Sequence, residues 1–192
     1  MEFKKIVVIG PESTGKSTLC AQLAEHYQTL WVPEYAREFL EKNGTDYSYD
    51  DLLTIAKGQI DLEEAVSYQL SAMSKKQSTT SNQHQTINIK HLFIDVDMYV
   101  MKVWCEFVFN KCHNWILNQI AKRHYDAYLL CDVDLPWIED ALREYPDKKI
   151  REKLYYFYKD LMINQSVPWC NISGNYKERF EKAVGYIDAS FQ

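Results

Sequence analysis

Short apolar runs and helical apolar stripes alternate along the whole chain. The runs predict buried strands at residues 6–9, 29–32, 91–95, 126–131 and 167–172. Between them, apolar residues recur every three or four positions, which predicts amphipathic helices. The clearest helices are expected at residues 49–73 and 98–109, and the aromatic residues of the second are expected to be core rather than a base-stacking surface. This alternation favours an α/β fold, a three-layer sandwich whose five-stranded parallel sheet is covered by helices on both faces.

Residues 10–17 carry the strongest chemical signal. They read Gly-Pro-Glu-Ser-Thr-Gly-Lys-Ser, which matches the phosphate-binding loop G-x-x-x-x-G-K-[ST] between a predicted strand and a predicted helix. Gly10 and Gly15 allow backbone angles that let main-chain N–H groups converge on phosphate oxygens. Lys16 supplies positive charge for the phosphates, and the Ser17 hydroxyl supplies a ligand for Mg²⁺. The predicted nucleotide-binding residues are Gly10, Pro11, Glu12, Ser13, Thr14, Gly15, Lys16, Ser17 and Thr18.

Residues that follow the other strands are the remaining candidates, because ligands of parallel sheets bind beyond the carboxyl ends of the strands. Asp95 ends the third strand and could hold Mg²⁺ or cap the next helix, although Asp97 fits the cap better. Glu34 follows the second strand, where a carboxylate could take the proton of an attacking hydroxyl or stabilise a helix N-terminus. Arg37 lies one turn further and could clamp a phosphate, fix Glu34 or form an intrahelical ion pair.

A charged segment follows the fourth predicted strand, and arginines flank its core of Glu, Asp and Lys residues. We expect residues 134–151 to form a lid that closes over the phosphates and excludes water; the alternative is a solvated surface loop. The lid would bring Arg143 and Arg151 to the reacting phosphates. The predicted catalytic residues are Lys16, Glu34, Asp95, Arg143 and Arg151.

Length and charge limit the other possibilities. The 192 residues suit a single domain without repeats or linkers, and the polar residues 74–90 are expected to be an exposed connection. The net charge of −5 disfavours a general nucleic-acid binder but not a nucleotide binder. The chain enters its first strand within a few residues, and no apolar run approaches the ~20 residues that span a bilayer. We therefore expect a cytoplasmic protein that does not contact membranes.

Four stretches, in this order, resemble a known family. They are residues 10–18, Val-Pro-Glu-Tyr-Ala-Arg-Glu at 32–38, Phe-Ile-Asp-Val-Asp at 93–97, and Asp-Val-Asp-Leu-Pro-Trp at 132–137 followed by Arg143. Together they resemble the ribosylnicotinamide kinase domain of NadR-type proteins, over nearly the whole chain. The resemblance implies a P-loop kinase fold. It also implies transfer of a phosphoryl group from ATP, with Mg²⁺, to the 5′-hydroxyl of nicotinamide riboside in NAD salvage.

The resemblance also bears on single residues. The Pro-Glu-x-x-x-Arg stretch is similar to that of deoxynucleoside kinases, in which the matching glutamate is the base, and this supports Glu34. The predicted substrate-binding residues are Glu34, Tyr35, Arg37, Asp97 and Trp137, with Trp31 a further stacking candidate, although each aromatic could equally be core. Bifunctional members carry a nucleotidyltransferase domain ahead of the kinase. Some carry a DNA-binding domain as well. Because this sequence starts at the kinase's first strand, the resemblance carries neither activity over to it.

Other readings of the sequence stay open. The acceptor could be another nucleoside or small molecule, the donor could be GTP, and the oligomeric state is not readable. A nucleotide-dependent switch is a different class of protein. It is disfavoured because the third strand ends in Asp-Val-Asp-Met at 95–98 rather than D-x-x-G, and because no guanine-reading N-K-x-D motif occurs.

Overall fold

The computed structural model describes residues 3–77 and 90–191. In chain order its elements are β1 (Lys4–Ile9), α1 (Lys16–His26), β2 (Trp31–Val32), α2 (Tyr35–Asn43), α3 (Tyr49–Gln77), β3 (His91–Asp95), α4 (Met98–Phe109), α5 (Asn114–Lys122), β4 (Ala127–Cys131), α6 (Lys148–Asn164), β5 (Trp169–Ile172) and α7 (Tyr176–Ser190). No described helix is both long and apolar enough to cross a membrane.

The five strands form one parallel sheet in the order β2-β3-β1-β4-β5. β1 is central, with Val7 opposite Ile94 of β3 and opposite Tyr128 of β4. The chain places β2 and β3 on one side of β1 and β4 and β5 on the other, so a crevice opens at the carboxyl end of β1. The phosphate-binding motif follows β1 directly. The predicted parallel α/β fold is confirmed.

Both faces of the sheet are covered by helices. Side chains alternate across each strand, so Ile6 and Val8 pack against α1 and α7 on one face, while Val7 and Ile9 pack against α3, α4 and α6 on the other. All four of these β1 side chains are completely buried, a state that stabilises the fold by about 1.5–3 kcal/mol for each large apolar residue. This double covering explains why β1 is an uninterrupted apolar run rather than an alternating one.

Several element bounds differ from the prediction. β2 has only two residues: the Thr29 N–H donates to the Ala24 carbonyl of α1 at 2.9 Å rather than to β3, and the Thr29 hydroxyl donates to the carbonyl of His91 at 2.6 Å. The helical pattern after Met98 breaks at Asn110, whose φ of 53° ends α4, and it resumes in α5. α3 continues to Gln77, so the start of the expected exposed connection is helical, whereas residues 78–89 lie outside the described residues.

Candidate active site

The phosphate-binding motif forms a tight turn between β1 and α1. Gly10 has a φ of 142°, and a Cβ added there would lie 2.7 Å from the carbonyl oxygen of Cys131, so only glycine fits. Gly15 precedes α1 in the left-handed conformation with a φ of 77°. The Thr14 hydroxyl donates to the Pro11 carbonyl at 2.7 Å and closes the loop. The N-terminus of α1, with its unpaired N–H groups and partial positive charge, therefore faces the crevice as an anion site.

Ser17 and Asp95 meet at the edge of this loop. The Ser17 hydroxyl donates to Asp95 Oδ2 at 2.5 Å, and Asp95 is completely buried. The other carboxylate oxygen, Oδ1, has no hydrogen-bond partner among the described residues. Burial raises the pKa of Asp95 and the charge of Glu34 raises it further, whereas Lys16 lowers it. An unpartnered buried carboxylate oxygen beside a hydroxyl fits Mg²⁺, which is usually bound by one or two carboxylates together with substrate phosphates and water.

Glu34 stands across the cleft from the phosphate loop. It is the residue that precedes α2, and its carboxylate makes no capping hydrogen bond to the described backbone of that helix. Instead the side chain lines the same cleft as Lys16 and Ser17, a cleft of about 170 Å³. Its effect on the pKa of Asp95 places the two carboxylates within electrostatic reach of each other. Glu34 therefore adds a carboxylate to the cleft that the phosphate loop lines.

Residues 132–147 contain neither helix nor strand, and they pass over the phosphate loop. The backbone N–H groups of Glu144 and Tyr145 donate to Glu12 Oε2 at 3.0 and 3.1 Å. The N–H of Ile138 donates to the Ser13 hydroxyl at 3.0 Å. The segment that the sequence predicts to be a lid thus contacts the loop through two of its nucleotide-binding candidates. Its last residues, 148–151, begin α6.

The two arginines that were predicted for the lid occupy different places. Arg143 lines the cleft, and its Nη1 donates to the Ile138 carbonyl at 2.5 Å and to the Ser13 hydroxyl at 3.4 Å. Arg151 is only 3% exposed and lies on α6, with its guanidinium 5.2 Å from the centre of the Trp137 ring. Trp137 also faces Arg143 at 5.9 Å. The structure thus brings Arg143 to the phosphate loop, whereas Arg151 and Trp137 pack together outside the cleft wall.

Arg37 joins α2 to the segment that the sequence predicts to be a lid. Its Nη2 donates to Asp140 Oδ2 at 2.9 Å, and its Nη1 lies 3.9 Å from Glu41 one turn along the helix. The hydrogen bond from Arg37 lowers the pKa of Asp140. Arg37 therefore forms the intrahelical ion pair that was one of its predicted alternatives and, in addition, a tie to the lid across the cleft that it lines.

A family described as AAA domains matches residues 5–179, which is most of the sequence. The chain belongs to this family.

The relatives of this AAA domain include a multifunctional protein. The chain is 24% identical over 190 residues to the trifunctional NAD biosynthesis/regulator protein NadR of Escherichia coli K12, and 22% identical over 191 residues to that of Salmonella typhimurium LT2. These alignments cover 96% of the chain and 42% of each NadR. The predicted resemblance to NadR-type proteins is confirmed, and the chain spans less than half the length of these relatives.

Solved structures show the same fold. NadR in complex with NR superposes with a TM-score of 0.69 at 21% identity, and NadR in complex with NAD and AMP-PNP with 0.68 at 19%. Each match covers 98% of this chain and 49% of the NadR chain. Thymidylate kinase from Ehrlichia chaffeensis matches with a TM-score of 0.64 at 13% identity, over 97% of this chain and all of the kinase. The AAA domain therefore has a P-loop kinase fold.

Trp137 is one of four residues that were expected to bind the substrate or stack on it and that lie outside the cleft wall; the others are Asp97, Tyr35 and Trp31. Asp97 caps α4 by accepting from the Tyr99 N–H at 2.9 Å, and its other oxygen accepts from the Tyr128 hydroxyl at 2.8 Å, as its alternative role predicted. The Tyr35 ring packs on Gly58 so closely that a Cβ there would lie 2.1 Å from it. Trp31 packs against the core formed with α1 and α7.

Trp104 forms part of the cleft wall, although the helical pattern at residues 98–109 predicts that its aromatic residues belong to the core. This half-buried tryptophan of α4 lines the cleft, and its indole N–H donates to the Tyr47 hydroxyl at 2.8 Å. That hydroxyl in turn donates to Glu144 Oε2 at 2.8 Å. A helical stripe shows which face is apolar but not where that face meets a cavity, so periodicity could not separate Trp104 from its buried neighbours.

The sequence analysis predicts no role for Arg179 of α7. It is 2% exposed and donates to the carbonyls of Thr14, Asp132 and Gly174 at 3.0, 2.9 and 2.7 Å, and it pairs with Asp134. The guanidinium thus fixes the phosphate loop to the ends of β4 and β5. A signal was present in the sequence, because Arg179 falls on the apolar stripe of its helix, where an arginine needs a specific partner.

Proposed function

We propose that this AAA domain is an ATP-dependent kinase that phosphorylates the 5′-hydroxyl of nicotinamide riboside, giving nicotinamide mononucleotide. The observation that carries the proposal is the cleft itself, where a phosphate loop with Lys16 and Ser17 faces the carboxylate of Glu34. The solved NadR complexes, one with NR and one with NAD and AMP-PNP, support the choice of both substrates.

The phosphate side of the cleft holds the donor. The N-terminus of α1 and Lys16 bind the β- and γ-phosphates, and Lys16 now donates to the Pro11 carbonyl at 2.9 Å, from which it can turn to an anion. Ser17 and Asp95 would hold Mg²⁺, which neutralises charge on the phosphates when bound. In this proposal residues 134–151 are the lid, and Arg143, which already reaches Ser13, adds positive charge where the transferred group sits.

The acceptor side supplies the base. Glu34 takes the proton of the 5′-hydroxyl while that oxygen forms a bond to the γ-phosphorus. The bond between the γ-phosphorus and the bridging oxygen breaks, and ADP leaves with that oxygen. A carboxylate without a capping hydrogen bond is free to accept this proton, and such assistance contributes about 10²–10⁴ in rate.

The walls around Glu34 suit a flat, positively charged ring. The nicotinamide of the riboside is aromatic and carries a fixed positive charge. Trp104 contributes an indole ring to the lining, and Glu144, held by the Tyr47 hydroxyl, contributes a carboxylate. A cation over an aromatic face is attracted by about 0.5–2 kcal/mol, depending on how fully it is desolvated. This pairing favours nicotinamide riboside over a neutral nucleoside.

The direct test is a phosphorylation screen with ATP and Mg²⁺. The acceptors are nicotinamide riboside, the common ribo- and deoxyribonucleosides, and a control without acceptor, with products identified by mass spectrometry. We expect kcat/KM to be highest for nicotinamide riboside. A preference for another nucleoside would keep the kinase mechanism and overturn the substrate. ATP hydrolysis that no acceptor stimulates would overturn the kinase proposal and favour a nucleotide-dependent switch.

A further inference from the structure

A single buried amide connects the strand ends that carry the two carboxylates of the site. Gln59, on α3, is 2% exposed. Its side-chain oxygen accepts from the Tyr35 N–H at 2.7 Å, and its side-chain nitrogen donates to the carbonyls of Pro33 and Asp95, both at 3.2 Å. All three partners are main-chain groups, and they belong to Asp95 and to the two neighbours of Glu34.

The chain around Glu34 needs such support because β2 is so short. Only Trp31 and Val32 pair with β3, and the chain leaves the sheet at Pro33, which has no N–H to donate. Glu34 itself lies between the end of this two-residue strand and the start of α2. The hydrogen bonds of Gln59 hold the backbone on both sides of Glu34 and connect that backbone to the end of β3.

Packing alone does not account for a glutamine at this position. Gln59 lies on the apolar stripe of α3, three and four residues after Ala56 and Ile55, which are completely buried. A buried polar side chain costs free energy unless it is hydrogen-bonded, so an aliphatic residue would serve a purely packing role better. The amide supplies two N–H donors and one acceptor oxygen. All three form hydrogen bonds with main-chain groups of the site.

We infer that Gln59 is a positioning residue, which sets the distance between the proposed base Glu34 and the proposed metal-binding carboxylate of Asp95. The inference rests on the proposed function, since it needs a reaction in which both carboxylates act at once. Gln59 touches neither substrate in this scheme; it acts through the backbone of residues 33–35 and 95.

The test replaces the amide with a thioether of similar length. In Gln59→Met all three hydrogen bonds are lost while the volume is kept, and we expect kcat to fall about 10- to 100-fold, as for a misplaced catalytic group. The Kd of ATP and the KM of the acceptor should change by less than about threefold, because the variant keeps the groups that bind them. The matched control is Leu52→Ala on the same face of α3, which should lower Tm without changing kcat well below Tm.

The outcomes separate this inference from the proposed function. A wild-type protein without phosphotransfer would overturn the proposed function and the inference with it. An active wild type with an equally active Gln59→Met variant, destabilised like Leu52→Ala, would overturn the inference alone and make Gln59 structural. If Gln59→Met does not fold, Gln59→Glu keeps the shape; its buried carboxyl is expected to be protonated, so it keeps the bond from the Tyr35 N–H but loses at least one of the two bonds to the carbonyls of Pro33 and Asp95. Unchanged kcat in that variant would likewise refute the positioning role.

Discussion

Replacing Glu34 by glutamine tests the proposed base with the smallest change in shape. Glutamine keeps the size of the side chain and removes its charge and its capacity to hold a proton. The fold should tolerate this, because the Glu34 carboxylate makes no capping hydrogen bond to the described part of α2. What stability is lost comes from the negative charge at the helix N-terminus, about 0.3–1 kcal/mol.

The expected loss of rate is far larger than that loss of stability. General-base assistance of about 10²–10⁴ corresponds to about 2.7–5.5 kcal/mol of transition-state stabilisation. ATP affinity should be nearly unchanged, because in the proposed function the phosphates are bound by Lys16 and the loop backbone, not by Glu34. The charge of Glu34 also raises the pKa of Asp95, so removing it does not disfavour the ionised form of Asp95.

Glu38→Gln is the matched control. Glu38 lies in the same first turn of α2, is exposed, and pairs with Lys42 at 2.6 Å, so its loss changes the helix end in a similar way but leaves the cleft intact. Steady-state kinetics should show kcat lowered two to four decades in Glu34→Gln and unchanged in Glu38→Gln. Equal kcat in the wild type and Glu34→Gln, or a large loss of ATP binding by calorimetry, would refute the reasoning and make Glu34 a structural or nucleotide-binding group.

Three further changes probe other parts of the cleft. Lys16→Ala should abolish phosphotransfer yet leave the circular dichroism spectrum unchanged, since the side chain contacts the loop rather than the core; full turnover would remove the phosphate loop from the mechanism. Trp104→Leu should raise the KM for nicotinamide riboside about 3- to 30-fold with less effect on kcat, the range expected for a cation–aromatic contact, and an unchanged KM would place the ring elsewhere. Asp140→Asn should cost at most about 1 kcal/mol in denaturant unfolding, because its partner Arg37 is 48% exposed; a larger loss would make the pair a structural anchor.

The phosphate side of the site could be predicted from the sequence, and the acceptor side only in part. Gly10, Lys16 and Ser17 belong to a contiguous motif whose geometry follows from local backbone rules, and Asp95 follows from its place at the end of a buried strand. The position of Glu34 at the cleft follows in the same way from its place after β2. Each of these residues is fixed by the element that precedes it, which is information that a linear pattern contains.

The remaining wall residues come from helices whose orientation no local pattern records. Trp104 and Leu40 reach the cleft from α4 and α2, and Glu144 reaches it from the irregular lid segment. Arg151 and Trp137 were predicted for the same site. In the structure the Arg151 guanidinium lies over the Trp137 ring at the N-terminal end of α6. Whether a side chain on such an element meets the cavity depends on packing angles between distant parts of the chain, and those are set by the tertiary fold.

Gln59 and Arg179 both stabilise the backbone around the candidate site. Both are polar residues on apolar helix stripes, both are 2% exposed, and nearly all their hydrogen bonds go to main-chain carbonyls or N–H groups of the strand ends. Because Gln59 and Arg179 hold the site through its main chain, the carboxylates need not do so. Glu34 makes no capping hydrogen bond, and one oxygen of Asp95 has no hydrogen-bond partner, among the described residues. In the proposed function those groups do not have to break a structural bond to meet a proton or a cation, so we expect the reorganisation that precedes reaction to be small. A polar residue on an otherwise apolar stripe next to a phosphate loop is therefore a reason to look for a positioning role.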